Sequence, residues 1–368
     1  MIFRLKARGF GDVLVPVDVD WEIERYSFAA IGGPKQAIVR ATGPDDDLWE
    51  LVKWLRCPAE IYSDAGDPLW WGYLAEARVT ATNRFSPRPG RVTASTTIDQ
   101  MHNYVAVAYT KVDVTTGWEE RDTTAWASGT ASITDFGTKE LLWTCSAATE
   151  THALAARDAK LEQDQLPTAY IVPAYGASRS EATLICRGWW DTLGWRYYTN
   201  AGTAAVDTAE QVYDILTAKG QFFTAIHQDI TSGITIRETR DGDSSALYEA
   251  TQLLEMGTTN YRRMLAKVDP DRSVRIYEEP LLEAALSLAQ DFSLWDRYGN
   301  EIRKETCPAG KWARLKDVIP PELDASQMSD PTKMFIEEME HEPYPVDRLT
   351  PHPRGFLNPW QFPVVKDG

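Results

Sequence analysis

The first 108 residues of the chain consist almost entirely of strand-like segments separated by turn signals. The segments are FRLKAR, DVLVPVDVDWEIER, QAIVRAT, AEIYSD, LWWGYLAEARVTAT and GRVTASTTI, divided by turns rich in Gly, Pro and Asp. One helix is predicted within GPDDDLWELVKWLRCP, which has acidic residues in its first turn and closes at Cys57-Pro58. The pattern therefore predicts a predominantly β structure for this part of the chain.

Two adjacent tryptophans, Trp70 and Trp71, open the strand that leaves the predicted turn DAGDP. Neighbouring side chains of a strand point to opposite faces, so one ring can lie in the core while the other meets a second layer, a partner subunit or a ligand. A second pair, Trp189 and Trp190, lies in the strand-like segment ATLICRGWWDTLGWRYY. The chain has 14 tryptophans, for which core packing, subunit-interface anchoring and carbohydrate stacking are three open interpretations.

The rest of the chain mixes helices with strands. Residues 109–175 contain a polar, turn-rich stretch, a short turn followed by a strand, and a helix that Pro167 ends. Residues 206–266 predict two helices around a hairpin; Asp207 or Thr208 caps the first helix, and Gly220 and Gly257 end the two helices. Residues 261–280 predict another hairpin, around Asp269-Pro270-Asp271. The Pro-rich tail 281–368 is expected to add a hairpin around Gly299-Asn300 and two strands, in KWARLKDVIPP and MFIEEMEHEP. A chain of this length predicts about two to four domains.

The charge balance and the cysteine pattern exclude several classes of protein. A net charge of −16 opposes binding to phosphates, although an acidic wall lets DNA pass without sticking. The four cysteines and five histidines lack metal-ligand spacing, and no nucleophile elbow, phosphate loop or dinucleotide fingerprint is present. We therefore expect free cysteines, no metal and no cofactor. The sequence also lacks a signal-peptide core and a membrane-spanning apolar run, which predicts a soluble protein made in the cytoplasm.

Carboxylates beside tryptophans give an alternative reading. They are Glu22, Glu24, Asp64, Asp67 and Asp191, and a pair of such groups beside a stacking platform is typical of a glycosidase. The chain holds 54 Asp and Glu residues, so some carboxylates near tryptophans are expected by chance. We expect no enzymatic activity, and the glycoside hydrolase is kept as an alternative.

Several segments, taken in order, resemble proteins of bacteriophage tail tips. The opening of such proteins is similar to WEIERYSFAAIGGPKQAIV (21–39), DPLWWGYLAEARVT (67–80) and IDQMHNYVAVAYT (98–110). The segment SITDFGTKELLW (132–143) resembles the Ser-Ile-x-x-Tyr-Gly stretch that begins the second domain of baseplate hub proteins, with Phe136 in place of the usual Tyr. The following helix, the CRGWWDTLGWRYY strand pair and RSVRIYEEP keep the same order, so the resemblance spans roughly residues 15–345.

The resemblance to the tail-tip (baseplate) hub family implies an α+β, mainly β fold. Two small β-barrel domains would carry two inserted smaller α+β domains. The predicted division is 1–102 with 180–204 as the first β-barrel domain, 103–179 as an inserted α+β domain, 205–262 as a small α+β domain, and 263–368 as a second β domain with an irregular Pro-rich tail.

The same resemblance implies a structural virion protein that forms the hub ring of the tail tip. Three copies would close the tail tube and let DNA pass on infection, with Trp70, Trp71, Trp189 and Trp190 as candidate interface anchors. The implied partners are further copies of the chain (a homotrimer), the distal tail ring protein, the tape-measure protein and tail fibre or spike proteins. Genomic DNA would pass without specific binding, and the protein would be made in the host bacterial cytoplasm.

Two other functions are kept open. One is the hexameric distal tail ring protein of the same organelle, whose second domain is usually sandwich-like rather than the helix–hairpin–helix pattern predicted for 206–266. The other is a carbohydrate-binding module for receptor recognition. The number of copies in the assembly separates the first alternative from the hub, and a soaked oligosaccharide separates the second.

Overall fold

The computed structural model describes residues 1–84, 90–112, 117–147, 149–175, 177, 179–230, 233–259 and 262–278, and the backbone of further strands between 291 and 353. The elements of the first part are β1 (Ile2–Leu5), β2 (Asp20–Ala29), β3 (Gly33–Thr42), α1 (Asp45–Leu51), β4 (Pro58–Tyr62), β5 (Pro68–Thr82), β6 (Arg91–Thr97) and β7 (Tyr104–Val112). Those that follow, up to the second tryptophan pair, are β8 (Glu119–Thr123), β9 (Ala127–Ser128), α2 (Thr130–Phe136), β10 (Glu140–Thr144), α3 (Glu150–Asp164), β11 (Thr168–Pro173) and β12 (Glu181–Arg187).

A short 3-10 helix, Trp189–Trp195, opens the second half of the chain. It is followed by β13 (Tyr197–Asn200), β14 (Ala205–Asp207), α4 (Thr208–Lys219), β15 (Ile226–Gln228), β16 (Thr235–Arg237), β17 (Arg240–Ser245), α5 (Ala246–Met256), β18 (Met264–Val268) and β19 (Val274–Glu278). The strands of the tail are β20 (Asp291–Trp295), β21 (Glu301–Thr306), β22 (Trp312–Arg314), β23 (Lys333–Glu342) and β24 (Arg348–Pro353).

One curled, half-barrel sheet forms the frame of the molecule, so the fold is mainly β as expected. Its strand order is β11-β6-β5-β12-β3-β2-β23, with antiparallel neighbours throughout. The first half of β5 also pairs with β4, and β4 pairs with β1. Small inward-facing side chains let this sheet curl tightly around its core; they are Ala37, Ala41, Ala77, Ala81 and Ala182, all buried.

Strand β12 connects parts of the chain that are far apart in sequence. It lies between β3 and β5, although the segment 103–179 intervenes between β6 and β12. The chain thus returns to the sheet formed by residues 1–102, first with β11 at its edge and then with β12 in its middle, so the return begins at residue 168 rather than at the predicted residue 180. The division into four domains stays a prediction, and most of the expected second barrel in 263–368 lies outside the described residues.

The residues between β6 and β11, 98–167, are called the inserted segment here and form a smaller sheet around β7. Strand β10 is parallel to β7, and β8 and β9 are antiparallel to it. Helix α3 packs on this sheet over a small core of Val107, Tyr109, Ala147 and Ala153. The helix begins where the Thr149 side chain accepts a hydrogen bond from the backbone of His152.

The segment after the 3-10 helix packs two helices against the main core. Helices α4 and α5 contact each other, and β15, β19 and β18 form a three-stranded sheet beside them. Asp207 caps α4, as predicted, and Gly220 and Gly257 end the two helices. The antiparallel pair β18–β19 confirms the hairpin predicted around Asp269-Pro270-Asp271.

Two predictions of local structure are wrong. The segment 186–198 is not a strand pair, because β12 ends at Arg187 and both tryptophans lie in the 3-10 helix. A helical turn lets neighbouring rings enter one core, which an extended strand does not allow. The segment between α4 and α5 is not a hairpin either. Its strands β16 and β17 pair with β14 and β13, which both precede α4 in sequence.

Strands of the tail agree with the sequence pattern where the backbone is described. Strands β20 and β21 pair antiparallel, as predicted for the hairpin around Gly299-Asn300, although the turn itself lies outside the described residues. The two strands predicted at KWARLKDVIPP and MFIEEMEHEP correspond to β22 and β23. Strand β23 pairs with β2 and extends the curled sheet.

Candidate functional site

The first tryptophan pair divides between two environments, both within the same chain. Trp70 is fully buried in the main core. Trp71 is half-buried, and its Nε1–H donates to the carbonyl of Val268 on β18 at 3.1 Å. The ring of Trp71 also packs edge-to-face against Phe28 at 5.9 Å. The second layer that Trp71 meets is therefore the β18–β19 hairpin.

Gly72 explains how the Trp70 ring fits against β12. A Cβ atom at this position would overlap the carbonyl oxygen of Arg187 and would lie 2.5 Å from the Trp70 ring. The absence of a side chain leaves room for the Trp70 ring where two strands approach closely. This contact fixes the start of β5 against the end of β12.

The second tryptophan pair is buried from several sides by its own chain. Trp189 contacts Phe10 at 5.2 Å, Tyr73 at 5.2 Å and Phe222 at 5.3 Å between ring centroids. Trp195 closes the group, because it packs against Tyr73 and Phe222. We call these five residues the aromatic junction. It joins the loop after β1, strand β5, the 3-10 helix and the segment after α4.

Trp190 lies on the other side of the 3-10 helix, where it is also buried. It stacks on Phe223 at 6.4 Å, and its ring lies against Gly32, whose φ of +94° suits glycine. Trp70, Trp189 and Trp190 are thus core residues of a single chain. A role for these three residues and Trp71 as anchors between subunits stays a prediction, and their exposure gives it no support.

An arginine cluster binds the inserted segment to the main body. Arg56 is buried and donates from Nε and Nη2 to the carbonyl of Asp135 at 3.0 and 2.8 Å, and from Nη1 to the carbonyl of Arg8. Burial lowers the pKa of Arg56 to about 10. Arg272 lies over the Phe10 ring at 3.6 Å and donates to the carbonyl of Phe222. Backbone carbonyls accept these bonds, which gives the cluster a structural role.

A cleft of about 480 Å³ lies beside this cluster. Its walls include Arg8, Arg56, Asp135, Gln221 and Phe222. Gln221 uses its side chain to bond the backbone of Thr138 in both directions, so the cleft marks the seam between the inserted segment and the body. The described residues contain no group of three or more His, Cys, Asp or Glu placed to hold a metal ion.

A second buried cation lies on the other side of the seam. Lys139 donates from Nζ to the carbonyls of Ile98 at 2.6 Å and Asp99 at 2.7 Å. Burial lowers the pKa of Lys139 to about 8, against a weaker opposing effect of the Asp99 carboxylate. Nearby, burial holds the pKa of Tyr73 well above its usual value, and the Asp191 carboxylate raises it further. Asp191 accepts a hydrogen bond from the Tyr73 hydroxyl at 3.0 Å.

Two of the solved structures to which this chain is similar are tail proteins. No protein-family profile and no curated protein matches the chain. A tail protein from Neisseria meningitidis is similar over 80% of this chain, with 9% sequence identity and a TM-score of 0.35; the chain spans 60% of that protein's length. The 43 kDa tail protein of prophage MuSo2 from Shewanella oneidensis is similar over 76% of this chain and 92% of its own, with 9% identity and a TM-score of 0.32. Both similarities are distant.

Sequence reasoning missed the apolar surfaces that are exposed in one chain. Three tryptophans of the inserted segment are exposed in one chain, and the sequence pattern did not predict them as interface anchors: Trp118, Trp126 and Trp143. Strand β11 was not predicted at all, and every residue of it is exposed. Its signal was present, because TAYIVP is a short β-branched and aromatic run with prolines at Pro167 and Pro173, and proline within sheets is typical of edge strands.

Among the described residues, no helix is both long and apolar enough to cross a membrane.

Proposed function

We propose that this chain is a structural protein of a bacteriophage tail tip, in which three copies form the hub ring that closes the tail tube. The observation that carries the proposal is the position of β12. The hub resemblance in the sequence implies a β-barrel domain interrupted by an α+β insert. Here β12, which comes after the inserted segment in sequence, lies between β3 and β5 of the sheet that precedes that segment.

The charge of the chain fits a ring through which DNA passes. Each copy carries a net charge of −16, so three copies in one ring repel one another. Apolar contacts offset this repulsion at about 25 cal/mol per Å² of buried apolar surface. We place the acidic residues on the wall of the opening, where they keep the genome from binding.

The exposed tryptophans of the inserted segment supply apolar surface for the ring. Trp126 stacks on Tyr104 at 5.0 Å, and Lys160 lies over the Trp143 ring at 5.8 Å, so both rings are held in place before a partner arrives. Pre-ordered aromatic rings are typical interface anchors. Expected neighbours in the tail are the distal tail ring protein, the tape-measure protein and fibre or spike proteins.

Stoichiometry is the test of the ring. We expect three copies in each ring, by imaging of intact tail tips without imposed symmetry and by native mass measurement of the purified chain. The double change Trp126→Ala and Trp143→Ala should break the ring, whereas Tyr213→Ala, which removes a similarly exposed aromatic on α4, should not. Six copies arranged in one ring would replace the hub with the distal ring protein. A monomer in intact tails would contradict both.

We also propose that the chain has no hydrolytic activity of its own. The measurement is release of soluble fragments from peptidoglycan and from capsular polysaccharide by the purified chain. We expect none above a heat-inactivated sample. Turnover that disappears when one carboxylate, for example Asp191, is changed to Asn would overturn this proposal.

A further inference from the structure

Strand β11 is an edge strand that lacks the usual protection. It pairs on one side with β6, and the described part of the chain provides no neighbour on its other side. The exposed fractions of Tyr170, Ile171 and Val172 are 54%, 44% and 55%. No charged residue occurs between 165 and 178, whereas natural edge strands usually carry charges that prevent pairing with another chain. An uncharged, apolar edge indicates a surface that is covered in the assembled protein.

The free backbone groups of β11 follow from its pairing with β6. The N–H of Ala174 donates to the carbonyl of Arg91 at 2.9 Å, and hydrogen-bonded positions alternate along an antiparallel pair. The even-numbered residues of β11 therefore bond to β6. Ala169 and Ile171 direct their N–H and C=O groups to the open side.

Two prolines limit this open side symmetrically. Pro173 occupies the next outward position after Ile171, and Pro167 precedes the strand at the corresponding position before Ala169. Each lies three residues from Tyr170, and neither has an N–H group to donate. An antiparallel copy of the strand with Tyr170 opposite its own equivalent would pair Ala169 with Ile171 twice, giving four hydrogen bonds. Each proline would then face a proline, where no donor is needed.

We propose that two copies of this chain associate through β11, paired antiparallel about a two-fold axis at Tyr170. The two curled sheets then continue into one another. The Tyr170 side chains face each other across the axis, and Val172 faces Thr168 of the other copy; aromatic and β-branched cross-strand pairs of this kind stabilise a sheet. Because each copy is strongly acidic, an uncharged edge is where two copies approach with the least repulsion.

This contact is independent of the proposed ring. A two-fold contact is self-complementary and does not close a threefold ring, so a ring would use a different surface. An assembly with both contacts would therefore join two threefold rings and contain six copies, and without a ring the β11 contact would give a dimer.

The first experiment removes one outward hydrogen-bond donor. Ile171→Pro deletes an N–H that points away from β6, so the bonds within one chain are kept, as they are at Pro173. We expect the dissociation constant of the β11 contact, measured by sedimentation, to rise tenfold or more, with an unchanged far-ultraviolet circular dichroism spectrum. Ile171→Val, which keeps the donor, is the matched control and should associate like the parent chain. Unchanged association of a folded Ile171→Pro chain would overturn the proposal.

The second experiment tests the register. Two Tyr170→Cys copies would place their Cα atoms about 4.5 Å apart across the axis, within the range of a disulfide. In Val172→Cys the two cysteines would lie roughly 13 Å apart, since each faces Thr168 of the other copy. We expect mild oxidation to link the Tyr170→Cys variant into dimers. The Val172→Cys variant and the parent chain, which has its own cysteines, should stay unlinked. Equal linking of both variants, or of neither, would overturn the proposed pairing.

The two experiments separate this proposal from the ring. A hexamer that becomes a trimer on Ile171→Pro supports both, and a dimer that becomes a monomer supports the β11 contact alone. A trimer that Ile171→Pro leaves unchanged supports the ring and overturns the β11 contact.

Discussion

The aromatic junction and strand β11 hold similar kinds of side chain in opposite surroundings. Trp189 is buried by rings from three separate parts of its own chain, whereas Tyr170 and its neighbours on β11 are about half exposed. The difference is which apolar groups the chain covers by itself. Phe10 and Phe222, which are distant in sequence, cover Trp189, whereas no described segment covers the open edge of β11.

Removal of a ring from the junction gives the largest expected effect. Trp189→Ala should lower the free energy of unfolding by about 3–5 kcal/mol, because it leaves a cavity among rings held by four different segments. Trp143→Ala is the matched change in the inserted segment, where the ring is already 36% exposed, and should cost less than about 1 kcal/mol. Urea unfolding of both variants measures the comparison. Equal losses would mean that the junction is not the more strongly packed region.

Addition of one methyl group tests the packing of the body from the opposite direction. Gly72→Ala should lower the free energy of unfolding by about 1–3 kcal/mol, because the new Cβ overlaps the Arg187 carbonyl and presses on the Trp70 ring. At Gly11 an added Cβ meets nothing within 4 Å, so Gly11→Ala should stay within about 0.5 kcal/mol of the parent chain. A tolerated Gly72→Ala would show that β5 and β12 separate easily.

The sequence predicts the β framework better than the way its parts meet. Strands β18 and β19 could be predicted because Asp269-Pro270-Asp271 is a strong local turn signal between two apolar runs. The partners of β16 and β17 could not be predicted from local pattern, since they pair with β14 and β13 across the whole of α4. Pairing of this kind depends on tertiary contacts, which single-segment patterns do not carry.

The candidate site shows the same limit. The Trp70–Trp71 pattern correctly required two covered faces, yet nothing in the sequence tells whether a subunit or the β18 strand covers the second one. For Trp189 and Trp190, the sequence pattern predicts a strand, whereas the structure has a 3-10 helix over Trp189–Trp195 with Gly188 before its first residue. Because side-chain direction depends on the type of secondary structure, a wrong element also gives a wrong direction for each ring.

The tryptophan pair itself offers a smaller and local comparison. Trp71→Phe removes the donor to the Val268 carbonyl, which should cost about 1 kcal/mol and speed amide hydrogen exchange in β18. Trp70→Phe is the control, because the ring nitrogen of Trp70 has no hydrogen-bond partner among the described residues. Loss of the Trp70 ring nitrogen should leave amide hydrogen exchange in β18 unchanged. Faster exchange in both variants would contradict a specific role of the Trp71 bond in holding the hairpin.

The smallest expected effect is the pH dependence that Lys139 brings to the seam between the body and the inserted segment. Its pKa of about 8 in the folded chain lies below the ordinary value of 10.5, so between these values the unfolded chain binds the extra proton. Stability must then rise with pH above about 8, and the cost of the buried charge is fully present below it.

Lys139→Met removes this charge, and the two chains should therefore differ in slope rather than in a constant offset. From pH 7.5 to 9, the free energy of unfolding of the parent chain should rise relative to Lys139→Met by up to about 1 kcal/mol. Groups such as Cys57, whose pKa burial raises to about 11, contribute equally to both chains and cancel in the difference. Parallel pH profiles would mean that the Lys139 ammonium is not desolvated in the folded chain and that the seam is open to water.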